Sequence, residues 1–157
     1  MRIFKSLLVA LIGLTALMYA LQNLASIGGL GRQIEAERPG ANSAEHPHLL
    51  FSNTPDASWM GFALITLCQL LIAAVALKGA WELFAARKGT AEEFREAKST
   101  AVWAGGLSLL AWFCLSLMIG GGLFHWGTEI GAAALRRSFE LGTTSALTIL
   151  FVWGTRD

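Results

Sequence analysis

Three histidines are the residues with the clearest potential for metal chemistry. His46 and His48 stand on either side of Pro47, and His125 lies beside Trp126. Imidazole nitrogens bind zinc and copper, so His46, His48 and His125 are candidate metal ligands if the fold brings them to one face. The alternative, which we favour, is that His125 and Trp126 lie at a membrane interface, where indole rings are frequent anchors.

A second candidate is Gln69, the strongly polar residue in the middle of a long apolar run. An amide in hydrocarbon is costly without a partner, so we expect Gln69 to face another helix and bond to Thr15, Ser108 or Ser116. Together with Trp112, it is also a candidate ligand-binding residue in a pocket between helices. The sequence favours the structural hydrogen bond over the ligand.

Motifs for catalysis are absent from the sequence. It contains no G-x-S-x-G elbow, phosphate loop or H-E-x-x-H pair. The glycines at 28–31 lack the third glycine spacing of a dinucleotide fingerprint. Cys68 and Cys114 lie in apolar runs, where a thiol usually behaves as a small hydrophobe. We therefore expect a protein that is not an enzyme and carries no cofactor.

The composition indicates a membrane protein. Of the 157 residues, 54% are hydrophobic and 15% are charged, which is too apolar for a soluble domain of this size. A net charge of +1 offers no dense basic surface for nucleic acid. The polar segments are too short to fold around cores of their own, which predicts a single integral membrane domain over residues 1–157.

Four apolar segments predict an all-α fold, a four-helix transmembrane bundle with an irregular outer loop between helices 1 and 2. The apolar part of the last segment is short, so its helix must begin earlier, either near residue 128 or nearer 138. A three-span protein with a membrane-associated tail is the alternative. The predicted spans are approximately 3–21, 59–84, 100–120 and 132–154.

The distribution of positive charge predicts the orientation of the bundle. Of the 12 Lys and Arg residues, eight fall on the side of the two termini and the 78–98 loop, and four on the other. Because positive residues are retained in the cytoplasm, we expect both termini inside, in a bacterial-type inner membrane. The 87–98 segment is interpreted as a charged helical hairpin connector of mixed sign, in the simplest case a solvated cytoplasmic loop.

Two further sets of residues are assigned to the bilayer boundary and to helix contacts. Arg136 and Glu140 are four apart, so they share a helix face and partly neutralise each other. The predicted interfacial residues are Trp59, Trp81, Trp126, Arg136, Arg137 and Glu140. Small residues that permit close helix packing are Ala104, Ser108, Ser116 and Gly120.

The order of several short motifs resembles a known family. They are QNL at 22–24, GAWELFAA at 79–86, Phe94 with Lys98, AWF at 111–113 and IGGGLFHW at 119–126. Their order and spacing are similar to those of the predicted small integral membrane proteins classed as domain of unknown function 2165. The resemblance covers most of the chain, and implies four membrane helices and no assigned reaction.

Two departures from the family pattern bear on proton chemistry. The pattern has a glutamate ten residues before the Gly-Ala pair, where this chain has Gln69. It also has Gly-Gly-Glu-Trp-Phe after the third helix, where this chain has the run 120–124, GGGLF. Neither glutamine nor glycine titrates, so a proton relay is not expected.

The function predicted from these features is association within the membrane. A small bundle with few ionisable groups inside has lateral surface to offer and little chemistry to perform. We expect an accessory or stabilising subunit of a larger membrane complex, such as a respiratory complex, with membrane lipids and protein subunits as partners. The alternative is a carrier or binder of a hydrophobic ligand, such as quinone or lipid, although transporters usually show internal repeats and the two halves show none.

Overall fold

The computed structural model describes residues 1–25, 27, 55–113 and 129–155. In the second helix the side chains are described from residue 62 onward, and in the fourth helix from residue 135 onward. These residues form α-helices, one short 3-10 turn and a π-helical turn at 110–113, and no strand occurs among them. The predicted all-α bundle is therefore confirmed. The helices are α1 (Arg2–Ala25), α2 (Pro55–Ala85), α3 (Ala91–Leu109) and α4 (Glu129–Gly154).

The helix boundaries extend the predicted spans. α1 continues four residues beyond the predicted end at 21, and α2 begins at Pro55, a residue suited to the first turn of a helix because its nitrogen needs no acceptor. α4 begins at Glu129, which agrees with the earlier of the two predicted starts. The predicted irregular outer loop and the glycine run at 120–122 lie outside the described residues.

Among the described residues, two helical segments are long and apolar enough to cross a membrane by length and composition, Arg2–Ala25 and Phe62–Lys88. They correspond to the first two predicted spans. The described part of α3 is less apolar because its first turns carry the charged residues of the 92–98 segment. α4 likewise contains Arg136, Arg137 and Glu140 before its apolar half.

The connection between α2 and α3 is shorter than predicted. α2 passes through the 3-10 turn Ala86–Lys88, and α3 begins directly after Thr90. The Thr90 hydroxyl accepts from the Glu93 backbone N–H at 3.2 Å, while the Glu93 carboxylate accepts from the Thr90 N–H at 2.8 Å. This reciprocal capping box fixes the helix start. Residues 91–98 are helical, in agreement with a helical connector, and most side chains of 87–98 are exposed, but Phe94 and Lys98 are buried, against the interpretation of a solvated loop.

Glycines bring the helices into close contact at two places. A Cβ atom on Gly79 of α2 would lie 2.9 Å from the backbone nitrogen of Ala101 on α3. A Cβ on Gly105 of α3 would overlap the side chain of Ile149 on α4. At Gly79 the neighbour is backbone, so only glycine permits the approach of α2 to α3, whereas at Gly105 the absence of a side chain leaves room for Ile149.

The interior consists of two apolar clusters along the bundle. The first lies toward the chain termini and includes the fully buried Leu83 and Phe94 together with Val152 of α4. The second lies further along α1 and α2, and includes Ala16 and Ile72. Alanines contribute much of both clusters, so the helices pack through small side chains. Polar groups lie at the two ends of this interior.

Candidate functional site

One polar group of the interior is the amide cluster, formed by Asn23, Thr66 and Gln69. The Asn23 amide nitrogen donates to the Gln69 side-chain oxygen at 3.0 Å and to the Thr66 hydroxyl oxygen at 3.1 Å. The Thr66 hydroxyl donates in turn to the Phe62 backbone oxygen at 2.8 Å. Thr66 and Gln69 are buried, so the cluster joins α1 to α2 through neutral hydrogen bonds.

The partner of Gln69 differs from the three expected ones. Asn23 lies two residues past the predicted end of the first span, and it became available because α1 continues to Ala25. Ser108 instead shares a buried hydrogen bond of 2.8 Å with Ser145 of α4. Ser116 lies outside the described residues. Bonding of Gln69 to Thr15 or Ser108 was therefore a wrong expectation, although an interhelical hydrogen bond is present.

Trp112 lies at the same end of the bundle as Gln69. It is buried, and its ring meets the Tyr19 ring edge-on at a centroid distance of 5.7 Å. Tyr19 and Asn23 are four residues apart on α1 and share one face. Because Tyr19 contacts Trp112 and Asn23 contacts Gln69, one turn of α1 connects the two predicted ligand-binding residues. Trp112 itself belongs to a π-helical turn at 110–113, a geometry that often occurs at functional sites.

The opposite end contains the Phe94 cluster, formed by Arg2, Lys5, Phe94 and Lys98. Phe94 is completely buried, and three cations surround its ring. The Arg2 Cζ atom lies 5.0 Å from the ring centroid, and the Lys5 and Lys98 Nζ atoms lie 5.9 and 5.7 Å from it. Each is within the range of cation–π attraction. Lys5 is 0% exposed and Lys98 is 4% exposed, which is unusual for lysine.

Backbone carbonyls hold the cations of the Phe94 cluster in place. Lys5 Nζ donates to the Thr155 oxygen at 2.7 Å, just past the end of α4. Arg2 Nη1 donates to the oxygens of Gly89 at 2.7 Å and Arg87 at 3.3 Å. Cations are favourable beside the carbonyl ends of helices. The start of α1, the α2–α3 connection and the end of α4 therefore meet at one corner.

Sequence reasoning did not identify the Phe94 cluster as a site. Phe94 and Lys98 entered only through the family resemblance, and their segment was interpreted as a solvated loop. The spacing of Phe94, Ala97, Lys98 and Ala101 is i, i+3, i+4 and i+7, which is the pattern of one buried helix face. That periodicity was the available signal, and the mixed charges around it concealed it.

The predicted packing residues that the structure describes are buried. Ala104 and Ser108 lie on the inner side of α3, and Ser108 contacts Ser145 of α4. Gly105 between them receives Ile149. Ser116 and Gly120, the other two predicted packing residues, lie outside the described residues.

The predicted interfacial residues are exposed where the structure describes their side chains. Trp81 is 69% exposed, and Arg136, Arg137 and Glu140 are also exposed. Lys78 forms an ion pair with Glu82, at 3.6 Å. The side chains of Trp59 and Trp126 fall outside the described part of the chain.

The predicted metal ligands, His46, His48 and His125, also fall outside the described residues. Within residues 1–25, 55–113 and 129–155, the described side chains include no group of three or more His, Cys, Asp or Glu that could hold a metal ion. The metal site therefore stays a prediction.

Comparison with known proteins gives one match. The family model described as predicted small integral membrane protein (DUF2165) matches residues 52–153, a range that covers α2, α3 and nearly all of α4. No curated protein matches the chain. No solved structure matches it either.

Proposed function

Because the chain belongs to the family of predicted small integral membrane proteins called domain of unknown function 2165, we propose that it is an accessory or stabilising subunit of a larger membrane complex. A respiratory complex is one such assembly. In this proposal the protein is not an enzyme, and its work is lateral association with the helices of other subunits.

The proposed location is the inner membrane of a bacterial-type cell, with four crossings and both termini in the cytoplasm. One corner of the bundle contains the first turn of α1, the α2–α3 connection and the end of α4. A chain with four crossings has its two ends on the same side of the membrane, and this arrangement is consistent with that. That corner carries Arg2, Arg87 and Lys88. Positive residues near helix ends favour the cytoplasmic side.

The observation that supports association best is the outer face of α3 together with the π-helical turn that follows it. Trp103, Gly106, Leu110 and Phe113 follow one another at intervals of three, four and three residues, the spacing of a helix–helix seam. The three large side chains are exposed, Trp103 by 69%, and a Cβ on Gly106 would meet nothing within 4 Å. An exposed glycine between large apolar residues forms a notch that a partner helix can enter.

The described interior supports a role without catalysis. No buried side-chain nitrogen or oxygen among the described residues lacks a hydrogen-bond partner. Asn23 and Gln69 bond to each other, and Ser108 bonds to Ser145. Reactive groups are usually held ready for a substrate, whereas these groups bind the helices together.

The test is Gly106→Leu, which fills the notch on α3 without reaching the interior. We expect the variant to keep its stability in mild detergent and to lose the subunits that co-purify with the tagged wild type. Ala74→Leu, at an exposed small residue on α2, is the matched control and should retain those subunits. A wild-type protein that purifies alone from mildly solubilised membranes would refute the proposal.

The second candidate is a binder or carrier of a hydrophobic ligand, such as quinone or lipid. It is favoured by the position of Gln69 and Trp112 around one turn of α1, through Asn23 and Tyr19. Amide, phenol and indole groups can hydrogen-bond a quinone head. Organic extraction of the purified protein should then yield a stoichiometric ligand that Trp112→Leu loses and Trp103→Leu, on the outer face, retains. A ligand-free extract would exclude this candidate.

A further inference from the structure

We propose that the phosphate of an anionic phospholipid binds at the arginine corner, formed by Arg2, Arg87 and Lys88. This inference goes beyond the proposed role as a subunit and does not depend on it. It requires only that the helices lie in a bilayer. Basic groups between helices at the cytoplasmic side are a recurrent way to bind anionic headgroups.

The two arginines are fixed before any ligand arrives. Arg87 Nη1 donates to the Phe84 oxygen at 2.6 Å, and its Cζ atom stands 3.7 Å from the Phe84 ring centroid. Arg2 uses Nη1 for both of its carbonyl bonds, to Gly89 and to Arg87 itself. These bonds leave Nε and Nη2 of Arg2 available. A guanidinium with fixed geometry loses little entropy when it binds a phosphate through two parallel hydrogen bonds.

The surface beside the arginines suits the rest of a lipid. Trp81 and Phe84 form an exposed aromatic pair on α2, with ring centroids 6.3 Å apart. Ile3 and Phe4 of α1 are also more than half exposed. Aromatic rings at headgroup depth and apolar side chains below them match the ester region and acyl chains of a phospholipid. A soluble phosphate ion would use none of this apolar surface.

The charge balance at the arginine corner favours an anionic headgroup over a zwitterionic one. The corner carries three basic residues, and among the described residues the Glu93 carboxylate lies against Gly89 beside them. Glu93 is already engaged with the Thr90 backbone N–H in the capping box. A phosphatidylglycerol headgroup carries a negative phosphate and no cation. Phosphatidylcholine carries a quaternary ammonium as well, which the basic corner repels.

The first experiment uses the wild-type protein. The full chain, purified in mild detergent, is exposed to equal amounts of phosphatidylglycerol and phosphatidylcholine with the same acyl chains. Native mass spectrometry then counts the lipids retained, and thermal unfolding reports stabilisation by each. We expect preferential retention of phosphatidylglycerol, with a shift to higher unfolding temperature that falls as salt concentration rises. Equal retention of the two lipids would overturn the proposal.

The second experiment locates the lipid. Arg2→Gln and Arg87→Gln should each weaken phosphatidylglycerol binding about fivefold, which corresponds to about 1 kcal/mol per basic residue. Arg2→Lys keeps the positive charge but lacks the planar guanidinium that binds a phosphate through two hydrogen bonds. Its loss of phosphatidylglycerol affinity should therefore be smaller than that of Arg2→Gln. Arg136→Gln, an exposed arginine near the other end of α4, is the matched control. If the preference for phosphatidylglycerol over phosphatidylcholine is unchanged in both Arg2→Gln and Arg87→Gln, the lipid binds elsewhere and its assignment to the arginine corner is refuted.

A third arm separates the lipid from a free anion. Inorganic phosphate is added to the wild-type protein in phosphatidylcholine nanodiscs and in competition with phosphatidylglycerol. We expect phosphate neither to raise the unfolding temperature nor to displace the lipid, because it cannot use Trp81 and Phe84. Displacement by phosphate with equal stabilisation would show a soluble anion site, and the lipid proposal would then be wrong.

Discussion

The two polar ends of the bundle stabilise their buried polar side chains in different ways. The amide cluster, Asn23 with Thr66 and Gln69, uses neutral donors and acceptors that satisfy one another across α1 and α2. The Phe94 cluster buries two lysines around an aromatic ring, and one of them, Lys5, donates to a backbone carbonyl. The amide cluster carries no net charge, whereas the Phe94 cluster concentrates positive charge.

This difference assigns different roles to the ends. Neutral interhelical hydrogen bonds contribute modestly, since the membrane-inserted reference state also finds partners for them. Buried cations are costly to desolvate, so a cluster that buries two lysines depends closely on its geometry. The Phe94 cluster should therefore be more sensitive to substitution than the amide cluster, and four substitutions examine that ranking.

Phe94→Ala should have the largest effect because it removes a fully buried ring from among three cations. We expect a loss of about 3–5 kcal/mol in the free energy of unfolding, measured by titration with sodium dodecyl sulfate in mixed micelles. Phe94→Leu keeps most of the volume and should cost roughly 1.5 kcal/mol or less beyond the lost cation–π attraction. Phe113→Ala, at an exposed phenylalanine, is the control. Equal losses at Phe94 and Phe113 would contradict the ranking.

Gly79→Ala should come next, because the added methyl meets backbone atoms of Thr100 and Ala101 that cannot move aside. Separation of α2 and α3 would displace the helix that carries Phe94 and Lys98. We expect a loss of about 1–3 kcal/mol in the same titration. Gly106→Ala, where a methyl group meets open space, should cost nothing. A tolerated Gly79→Ala would show that the close approach does not position the Phe94 cluster.

Gln69→Leu should weaken the amide cluster by about 1 kcal/mol, which is within the range measured for interhelical hydrogen bonds. Asn23 keeps its bond to Thr66 in this variant, which limits the loss. A double-mutant cycle with Asn23→Ala isolates the coupling between the two amides. A loss larger than that of Phe94→Ala would reverse the ranking of the two ends.

Ser145→Ala should have the smallest effect, about 0.6 kcal/mol. It breaks the hydroxyl pair with Ser108 between α3 and α4, which belongs to neither polar end. Thr143→Ala, at an exposed threonine on α4, provides the baseline in the same titration. A larger loss for Ser145→Ala than for Gln69→Leu would mean that α3 and α4 depend more on polar contacts than α1 and α2 do.

The fold was more predictable than either polar end. Runs of apolar residues identify helices because bilayer thickness fixes their length, and the helical class followed from that. Gln69 was identifiable as a buried amide, since it interrupts such a run. Its partner Asn23 was not, because helix ends are uncertain by a few residues. Phe94 was missed because its apolar face is only a narrow strip among charges.

The bond between Lys5 and Thr155 joins residues 150 positions apart in the chain. Lys5 is synthesised 150 residues before the acceptor carbonyl of Thr155, so this bond can form only after α2, α3 and α4 have been made. Before this bond forms, we expect the Lys5 ammonium group to stay near the bilayer surface, where water can solvate it. The bond of Lys5 therefore requires that α4 has docked, and chains cut short before α4 should be good substrates for membrane proteases.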